Sequence, residues 1–569
     1  MKIVSISRLI SALLLALLAI GVIGTLLPAF NYLPVLGYTE FSWQPWINLF
    51  QAPELYSSLM LTLFSGITAT IIALFVALAT LSCCYDTRWM RYLQASLSPV
   101  LAIPHAAMAI GLLFLLSPSG WVIRLLSPEV TGFDRPPNWL TVQDPYALSL
   151  VLALVIKETP YLLFVLLASA RQLPVKASIQ LGQTLGYSRL TIWRKLLLPL
   201  LYPMIRLPIF VVLAFSLTVI DLAIIIGPNT PSTLAVTLFR WFQDADLTLR
   251  LQASAGSILL IMIIAICCWC WQQVYLLAHY FSRASYSDGL RRTKADSYLK
   301  LGSYLYLLIM AVAALALLVL PLWAFAKRWR FPDALPAKWS LDKFNASTDL
   351  LTQLSTTTLL IAFSAAFIAL IISVLILEHK RLFSGKVFWF DRFIYIPILL
   401  PQVGFLFGLQ IALIWSHLNG SLAGVILLHT LYCLPYVYLT LQGPYLKFQQ
   451  AYYTQALALT QRPLYAFVQV KLAMLKGPLL SAAALAVAVS IAQYLPTLVA
   501  GEGRINTLTT EAVALAASGE RKQASLMALL QAFMPLLVFI MAHFIAKHWT
   551  SWRLAISYRA SDKNNISAK

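Results

Sequence analysis

Ala177-Ser-Ile-Gln-Leu-Gly-Gln-Thr-Leu-Gly-Tyr-Ser-Arg-Leu-Thr-Ile-Trp-Arg-Lys-Leu-Leu-Leu-Pro199 is a polar, basic stretch between strongly apolar segments, and a related stretch returns from Ala451 to Pro478. Each follows an apolar segment with a proline near its middle, Pro160 in the first case and Pro435 in the second. A membrane-embedded chain that carries the same basic loop twice offers the same kind of surface to a soluble partner twice. The pair therefore divides the chain into two comparable halves, and an internal repeat of this kind fixes the architecture before any single element does.

Outside the two loops the chain is overwhelmingly apolar. Of 569 residues 60% are hydrophobic and 11% charged, with a mean hydropathy of +0.80. A soluble domain of this size carries far more charge. About 12 apolar runs are long enough, at ~1.5 Å per residue, to cross a ~30 Å hydrocarbon core. They begin near Leu9, Ser57, Ser98, Leu148, Leu207, Ala255, Leu301, Leu354, Phe393, Leu422, Leu479 and Ala524. The expected fold is an all-α polytopic membrane protein, because helices satisfy their own backbone groups in lipid.

The net charge is +20. On a soluble protein that would point to nucleic acid. Here Lys and Arg collect in alternate loops, as the positive-inside rule expects, so membrane lipid is the partner and no nucleic acid is expected. The basic loops are Arg88 to Arg91, Arg171 to Lys195, Arg283 to Lys300, Lys380 to Arg392, Lys447 to Lys476 and Lys547 to Lys569. Their side reads as cytoplasmic. The loop Asn31 to Tyr56 has no Lys or Arg, whereas Lys327 to Lys343, with five, is an exception on the opposite side. Lys2 and Arg8 precede the first apolar run, which is too long for a signal-peptide core and reads as an uncleaved span, leaving both termini cytoplasmic. The six cysteines lie in or beside apolar runs with no His or carboxylate near Cys267-Cys268-Trp-Cys270, so they read as apolar filler rather than metal ligands.

The repeat extends beyond the loops. Leu101-Ala-Ile-Pro104 and Gly111 match Leu399-Leu-Pro401 and Gly408, an offset of 408 − 111 = 297. Pro160, Gly186 and Thr233-Leu234 match Pro435, Thr460 and Thr507-Leu508 at 274 to 275. Gln252-Ala-Ser254 matches Gln523-Ala-Ser525. The change in offset marks about 22 extra residues in the first half, expected in the external loop Ser117 to Asp144, where length changes are tolerated. The expected organisation is a first half over 1–280, a basic linker over 281–300, a second half over 301–547 and a tail over 548–569. Six spans in each half give parallel repeats about an axis along the membrane normal. Two such halves suit a twofold-symmetric partner.

Each loop reads as helix, sharp turn, helix. In the first, spanning 174–203, a short helix follows Pro174, and Gly186 stands where the chain must turn, a place suited to positive φ. Ser188 is placed to cap a second helix, with Ile192, Trp193, Leu196, Leu197 and Leu200 on one face. Pro199 and Pro203 mark the return toward the membrane. In the second loop, 449–478, Pro463 suits a first helical turn, and Leu464, Phe467, Val468, Leu472 and Leu475 line one face. An ordinary amphipathic helix on the bilayer surface would read similarly, but two copies at matching positions favour a shared partner.

The first loop resembles the EAA loop of permease subunits of bacterial type I ATP-binding-cassette importers, whose pattern is Glu-Ala-Ala-x-x-x-Gly followed by a spacer to Leu-Pro. Gly186 and Leu198-Pro199 match, while Gln180-Leu181-Gly182 occupy the Glu-Ala-Ala positions. In the second loop Ala456 matches the last alanine, Thr460 replaces the glycine and Leu472-Ala473 replaces Leu-Pro. The resemblance covers nearly the whole chain and is similar to the fused double permeases of thiamine and ferric-iron importers. Leu101-Ala-Ile-Pro-His105, Leu185-Gly-Tyr-Ser-Arg189 and Gln493-Tyr-Leu-Pro-Thr497 through Thr509-Thr-Glu-Ala-Val513 look especially like a subgroup described as thiamine-transport permeases.

The resemblance implies a transport subunit in a bacterial inner membrane, with no catalytic residues, cofactor or metal. Gln180, Gly182, Gly186, Ser188, Pro199, Ala456, Thr460 and Pro463 would form two ATPase-coupling loops. The motor would be a pair of identical ATPase subunits, and a periplasmic binding protein would deliver the solute. The sequence agrees that the motor is a separate chain: there is no Gly-x-x-x-x-Gly-Lys-Ser/Thr, and Gly385-Lys386 is followed by Val387. Thiamine or a related small solute is the expected cargo, with ferric iron, polyamines and oxyanions as alternatives on the same scaffold. An ion-driven transporter of six plus six spans is a more remote alternative. Asp86-Thr-Arg88 and His379-Lys-Arg381 lack the Gly-rich basic signature of that class.

Ionisable residues inside a membrane cost ~2.5–3.5 kcal/mol each on insertion scales, so each needs a reason. Lys157 and Glu158 lie mid-span before Pro160, about 100° apart on a helix, too far round to pair with each other. Asp221 precedes Ile224-Ile-Ile-Gly227 near the external end of its span. The three are candidate pathway residues, with a structural contact within the bundle as the alternative. A lone carboxylate at Asp221 would attract a cationic solute, and its counterpart in the second half is Tyr494-Leu495. His105 and His429 read as packed or interfacial histidines rather than ligands, and no role is assigned to them. The segments after Gly227 and Ala500 read as external gating or binding-protein surfaces.

Overall fold

The computed structural model describes residues 2–286, 289–291, 295–382 and 390–566. Gly385-Lys386-Val387 and parts of the linker, including Arg292, lie outside the described residues. The chain is mostly helical. Its main helices are α1 Lys2–Ala29, α2 Leu55–Cys84, α3 His105–Leu116, α4 Leu148–Ala170, α5 Val175–Thr184, α6 Leu198–Thr218, α7 Asp221–Ile226 and α8 Leu249–Tyr286. They continue as α9 Ala295–Phe325, α10 Thr348–Leu382, α11 Gln402–Trp415, α12 Leu422–Leu446, α13 Gln450–Thr460, α14 Lys476–Ala492, α15 Leu495–Gly501 and α16 Arg521–Ile566.

Among the described residues ten helices are long and apolar enough to cross a membrane, or eleven if one sharply bent pair counts as a single span. The sequence reading of about 12 spans is therefore not matched one for one. The run expected from Phe393 breaks into Phe390–Phe393, Ile396–Leu399 and the 14-residue α11. The run expected from Ser98 is interrupted in the same way, between Arg88–Ala102 and α3, although His105–Leu126 still counts among the ten, and the run expected from Leu479 lies in the bent pair. The cause in the first two is a proline. Ile103 and Leu400, preceding Pro104 and Pro401, are forced into extended conformations, with ψ 127° and 141°.

α1 and α9 each pack on helices far away in the chain. α1 lies chiefly against α11 and α8, and also against α10; α9 lies against α2, α3 and α16. Lipid tails give helices no hydrophobic reason to associate, so these crossings depend on close backbone approach at small residues. A Cβ at Gly408 would overlap the Gly21 carbonyl, and one at Gly24 would overlap the Gly408 carbonyl. Thr25 Oγ1 donates across the crossing to Gly404 O at 2.7 Å. Gly111 of α3 approaches the Ala316 carbonyl of α9 in the same manner. Gly111 and Gly408, paired by sequence alone, are thus the points where the other half's first helix crosses.

The segment 117–144 fastens the halves on the side away from the loops. Arg124, in the short helix Trp121–Leu126, donates to Ser119 O at 2.9 Å and to Arg330 O at 2.7 Å. Its guanidinium lies 4.7 Å from the ring centre of Trp329. The partner is the hairpin Ala326–Arg328 and Lys338–Trp339, the locus of the basic exception. There Lys327 pairs with Asp342 at 2.8 Å, and hydrogen bonds from Lys327 and then Ser340 hold the Asp342 carboxyl below the usual carboxylate range.

The glycine crossing yields a direct test. Gly408→Val forces a side chain against backbone that has no rotamer to yield, so a loss of about 1–3 kcal/mol is expected. Gly443→Ala, which meets nothing within 4 Å, serves as the control. Thermal unfolding in detergent should show a lower Tm for the first variant and an unchanged Tm for the second.

Candidate functional site

The two loops take similar shapes from different residues. In the first, α5 buries Val175 and Ile179 and exposes Gln180, Leu181, Gln183 and Thr184. Gly186 ends it with φ +84°, and Tyr187 N–H donates back to Gly182 O at 3.0 Å, a turn that favours glycine. A Cβ on Gly186 would also come 3.2 Å from Arg291 Nη1. Gly182 lets Ile192 pack against the helix, since a Cβ there would overlap its side chain. Ser188 caps the next helix by accepting from Thr191 N–H at 3.2 Å.

In the second loop α13 has no buried residue, and Leu459 is 86% exposed. Thr460 does not take the place of Gly186. It remains helical, its hydroxyl donating to Ala456 O at 2.7 Å, and the left-handed position falls one residue later on Gln461, with φ +53°. Pro463 opens the following helix at its first position.

Both loops then pass through a π-helical turn, Trp193–Leu197 in the first and Phe467–Leu472 in the second. The sequence gives no sign of it, and it breaks the expected 3.6-residue faces. Ile192, Trp193 and Leu197 are buried, but Leu196 and Leu200 are not, and in the second loop Val468 is exposed within the turn, as is Leu464 ahead of it. The prolines also act otherwise than expected. Pro199 sits in the first turn of α6, where its missing N–H costs nothing, and the helix runs on. The copy without Leu-Pro is the bent one: Pro463–Leu472 and α14 meet at 78°.

Each loop is tied to the end of a long helix. In the first, Arg189 donates to Ser82 O at 2.9 Å and to Tyr85 O, covering carbonyls that α2 leaves unsatisfied. Tyr85 packs edge-on against Trp193, 5.8 Å between ring centres. In the second, Lys471 has a fully buried side chain and pairs with Glu378 of α10 at 2.5 Å. Tyr445 donates to the same carboxylate oxygen at 2.6 Å, and Arg381 donates to the other at 3.1 Å. The Lys471 ammonium also lies 4.2 Å from the Tyr445 ring centre. Sequence reasoning missed Glu378 and Lys471. The available signal was a carboxylate beside the basic residues that end α10 and a lysine between Val470 and Leu472.

The intramembrane charges are brought partly together. Lys157 is turned away from its neighbour and donates to Ile103 O at 2.7 Å, so it caps the break before Pro104. That contact is structural. Glu158 instead faces His105, 3.9 Å from Nε2 to Oε1, and Asp221 lies within electrostatic range of His105 and Lys157. His105 thus joins the charged group. His429 is a packed histidine, bonded to Ser490 at 2.7 Å and Thr497 at 2.8 Å.

These features define a polytopic helical membrane protein with two matched, exposed loop helices and a charged interior. The chain is 30% identical over 509 residues, 89% of its length, to the inner membrane ABC transporter permease protein YnjC of Escherichia coli (strain K12), covering 91% of that protein. It belongs to the family of inner-membrane ABC transporter permeases, a transport family. No family model matches.

The buried pair at the second loop is open to test. Lys471→Met strands Glu378 without its main partner, and removing one member of a buried pair costs about 3–5 kcal/mol. The double variant Lys471→Met with Glu378→Gln should recover part of that loss. Thermal unfolding of the purified protein measures both, and equal Tm values for wild type and single variant would show the pair to be idle.

Proposed function

We propose that this chain is the permease subunit of a binding-protein-dependent importer, forming the solute pathway and coupling it to a separate ATPase. Two parallel halves lie about an axis normal to the membrane, with both termini cytoplasmic. α5 and α13 dock in a pair of identical ATPase subunits, and a periplasmic binding protein delivers the solute to the opposite face. The single observation that carries this reading is the pair of exposed loop helices, each followed by a left-handed turn and tied by Arg189 or Lys471 to the end of a membrane helix. Such a lever transmits a push at the loop into α2 and α10. Gln180, Gly182, Gly186, Ser188 and Pro199 build the first lever, and Ala456, Thr460 and Pro463 build the second. Thiamine is the proposed solute, in keeping with the sequence strings that resemble thiamine-transport permeases.

Two measurements separate the parts of this reading. Gly186→Arg places a long side chain at a left-handed residue against Arg291. ATPase activity stimulated by the loaded binding protein should fall at least tenfold in the reconstituted complex, and undiminished stimulation would sink the lever. Uptake of radiolabelled thiamine by cells that carry the whole transporter tests the cargo alone. Absence of uptake above that of cells lacking it would remove thiamine and leave the coupling assignment standing.

A further inference from the structure

A cavity lies between α1, α8 and α11, bordered by Gly24 and Gly408 of the glycine crossing. The short turn Pro34–Leu36 and the helix Leu234–Gln243 also line it, the latter through Phe242. It holds about 630 Å³, counting the open space at its mouth, which is within the ~300–1,000 Å³ of small-molecule sites. The cavity is at the end of the helices away from the two loops. α8 begins beside it and runs to the linker, where Arg291 O accepts from Ser188 N–H of the first loop at 2.8 Å. α12 starts a few residues after α11 and runs into the second loop. The walls are largely apolar, with Phe407, Ile411 and Ile414 beside Phe242. Trp415, 73% exposed at the end of α11, holds the position of an interfacial tryptophan.

Arg250 is the one charged residue in the lining. It is half-buried, its Nε is sealed off without an acceptor, and its guanidinium makes no ion pair with any described residue. Other arginines on this side have acceptors: Arg124 donates to Arg330 O at 2.7 Å, Arg240 to Asn229 O at 2.9 Å and Arg521 to Ser119 Oγ at 2.8 Å. No carboxylate lines the cavity. Glu502 comes nearest to the lining, 3.4 Å from Gln410 Nε2, but it is engaged by Asn419. A guanidinium among apolar side chains is costly unless an anion joins it. Its planar fork suits the oxygens of a phosphate, and basic pockets between membrane helices take anionic head groups.

We propose that this cavity binds one anionic glycerophospholipid, with its phosphodiester on Arg250 and its glycerol and upper acyl chain against the apolar walls. A head group that carries its own ammonium fits less well, because the lining offers that ammonium no carboxylate. A soluble phosphate would pair with Arg250 but leave the apolar walls without a partner. The site is independent of the transport reading and requires only that the chain span a membrane. Because the cavity borders the Gly24–Gly408 crossing, a lipid held there also braces that crossing.

The test uses the full chain in nanodiscs of equal parts phosphatidylglycerol and phosphatidylcholine, transferred to detergent and weighed by native mass spectrometry. One phosphatidylglycerol per chain should survive the transfer in preference to phosphatidylcholine. Retention should fall about tenfold in Arg250→Gln, the loss expected for charge-assisted hydrogen bonds. Arg250→Lys should keep part of it, and Arg240→Gln, on the same side but outside the cavity, should keep all. Added phosphatidylglycerol should raise the Tm of wild type and Arg240→Gln but not that of Arg250→Gln. No retained lipid, equal retention of the two lipids, or retention indifferent to Arg250 would overturn the site. Displacement of the lipid by millimolar glycerol phosphate would overturn it too, by making the ligand a soluble anion. The lipid preference and the displacement are read on the unaltered chain, so they decide the matter even if Arg250→Gln fails to fold.

Discussion

The close contact between α1 and α11 at Gly21, Gly24 and Gly408 is the constraint from which the rest of the assembly follows. In a bilayer the apolar effect does not bring helices together, so two halves of one chain remain a unit only where backbones come near enough for dispersion and hydrogen bonds to act. Thr25 adds such a bond by donating to Gly404 O. Because the first helix of each half is lent to the other, with α9 against Gly111 repeating the arrangement, the halves cannot part without unpacking two crossings.

Within that frame the protein places polar chemistry at breaks in its helices. Pro104 and Pro401 interrupt spans, and Lys157 covers carbonyls freed by the first interruption. The loops follow the same logic at the helix ends. Arg189 satisfies the terminal carbonyls of α2, whereas Lys471 is buried against Glu378 of α10 and is ringed by aromatic residues. The two anchors differ in response to solvent. A guanidinium on backbone carbonyls tolerates local adjustment, but a sealed ion pair holds only while both partners stay in place. The loop whose motif differs more from the EAA pattern therefore has the sealed attachment.

Much of the architecture was legible because membranes impose simple rules. Run length and the spacing of Pro160 and Pro435 gave the helices and their repetition, and the pairing of Gly111 with Gly408 located a crossing. The loops were legible where a single residue decides a backbone state: Gly186 at φ +84° and Ser188 as a cap follow from local sterics and hydrogen bonding. Thr460 misled because it stands at the glycine's place by count, while the helix runs through it and hands the turn to Gln461. The expected apolar faces failed for a related reason, since a π turn shifts every later residue around the helix.

The sequence by itself determined that this is a helical membrane protein with two basic loops between apolar segments, because hydrophobic length, loop charge and local turn chemistry are properties of neighbouring residues. Only the tertiary structure decided which charges meet. Lys157 and Glu158 are adjacent in the chain yet face different partners, and Glu378 finds Lys471 ninety-three residues away. Pairing of this kind depends on where distant helices cross, and those crossings are set by backbone contact at a few glycines rather than by any local signal.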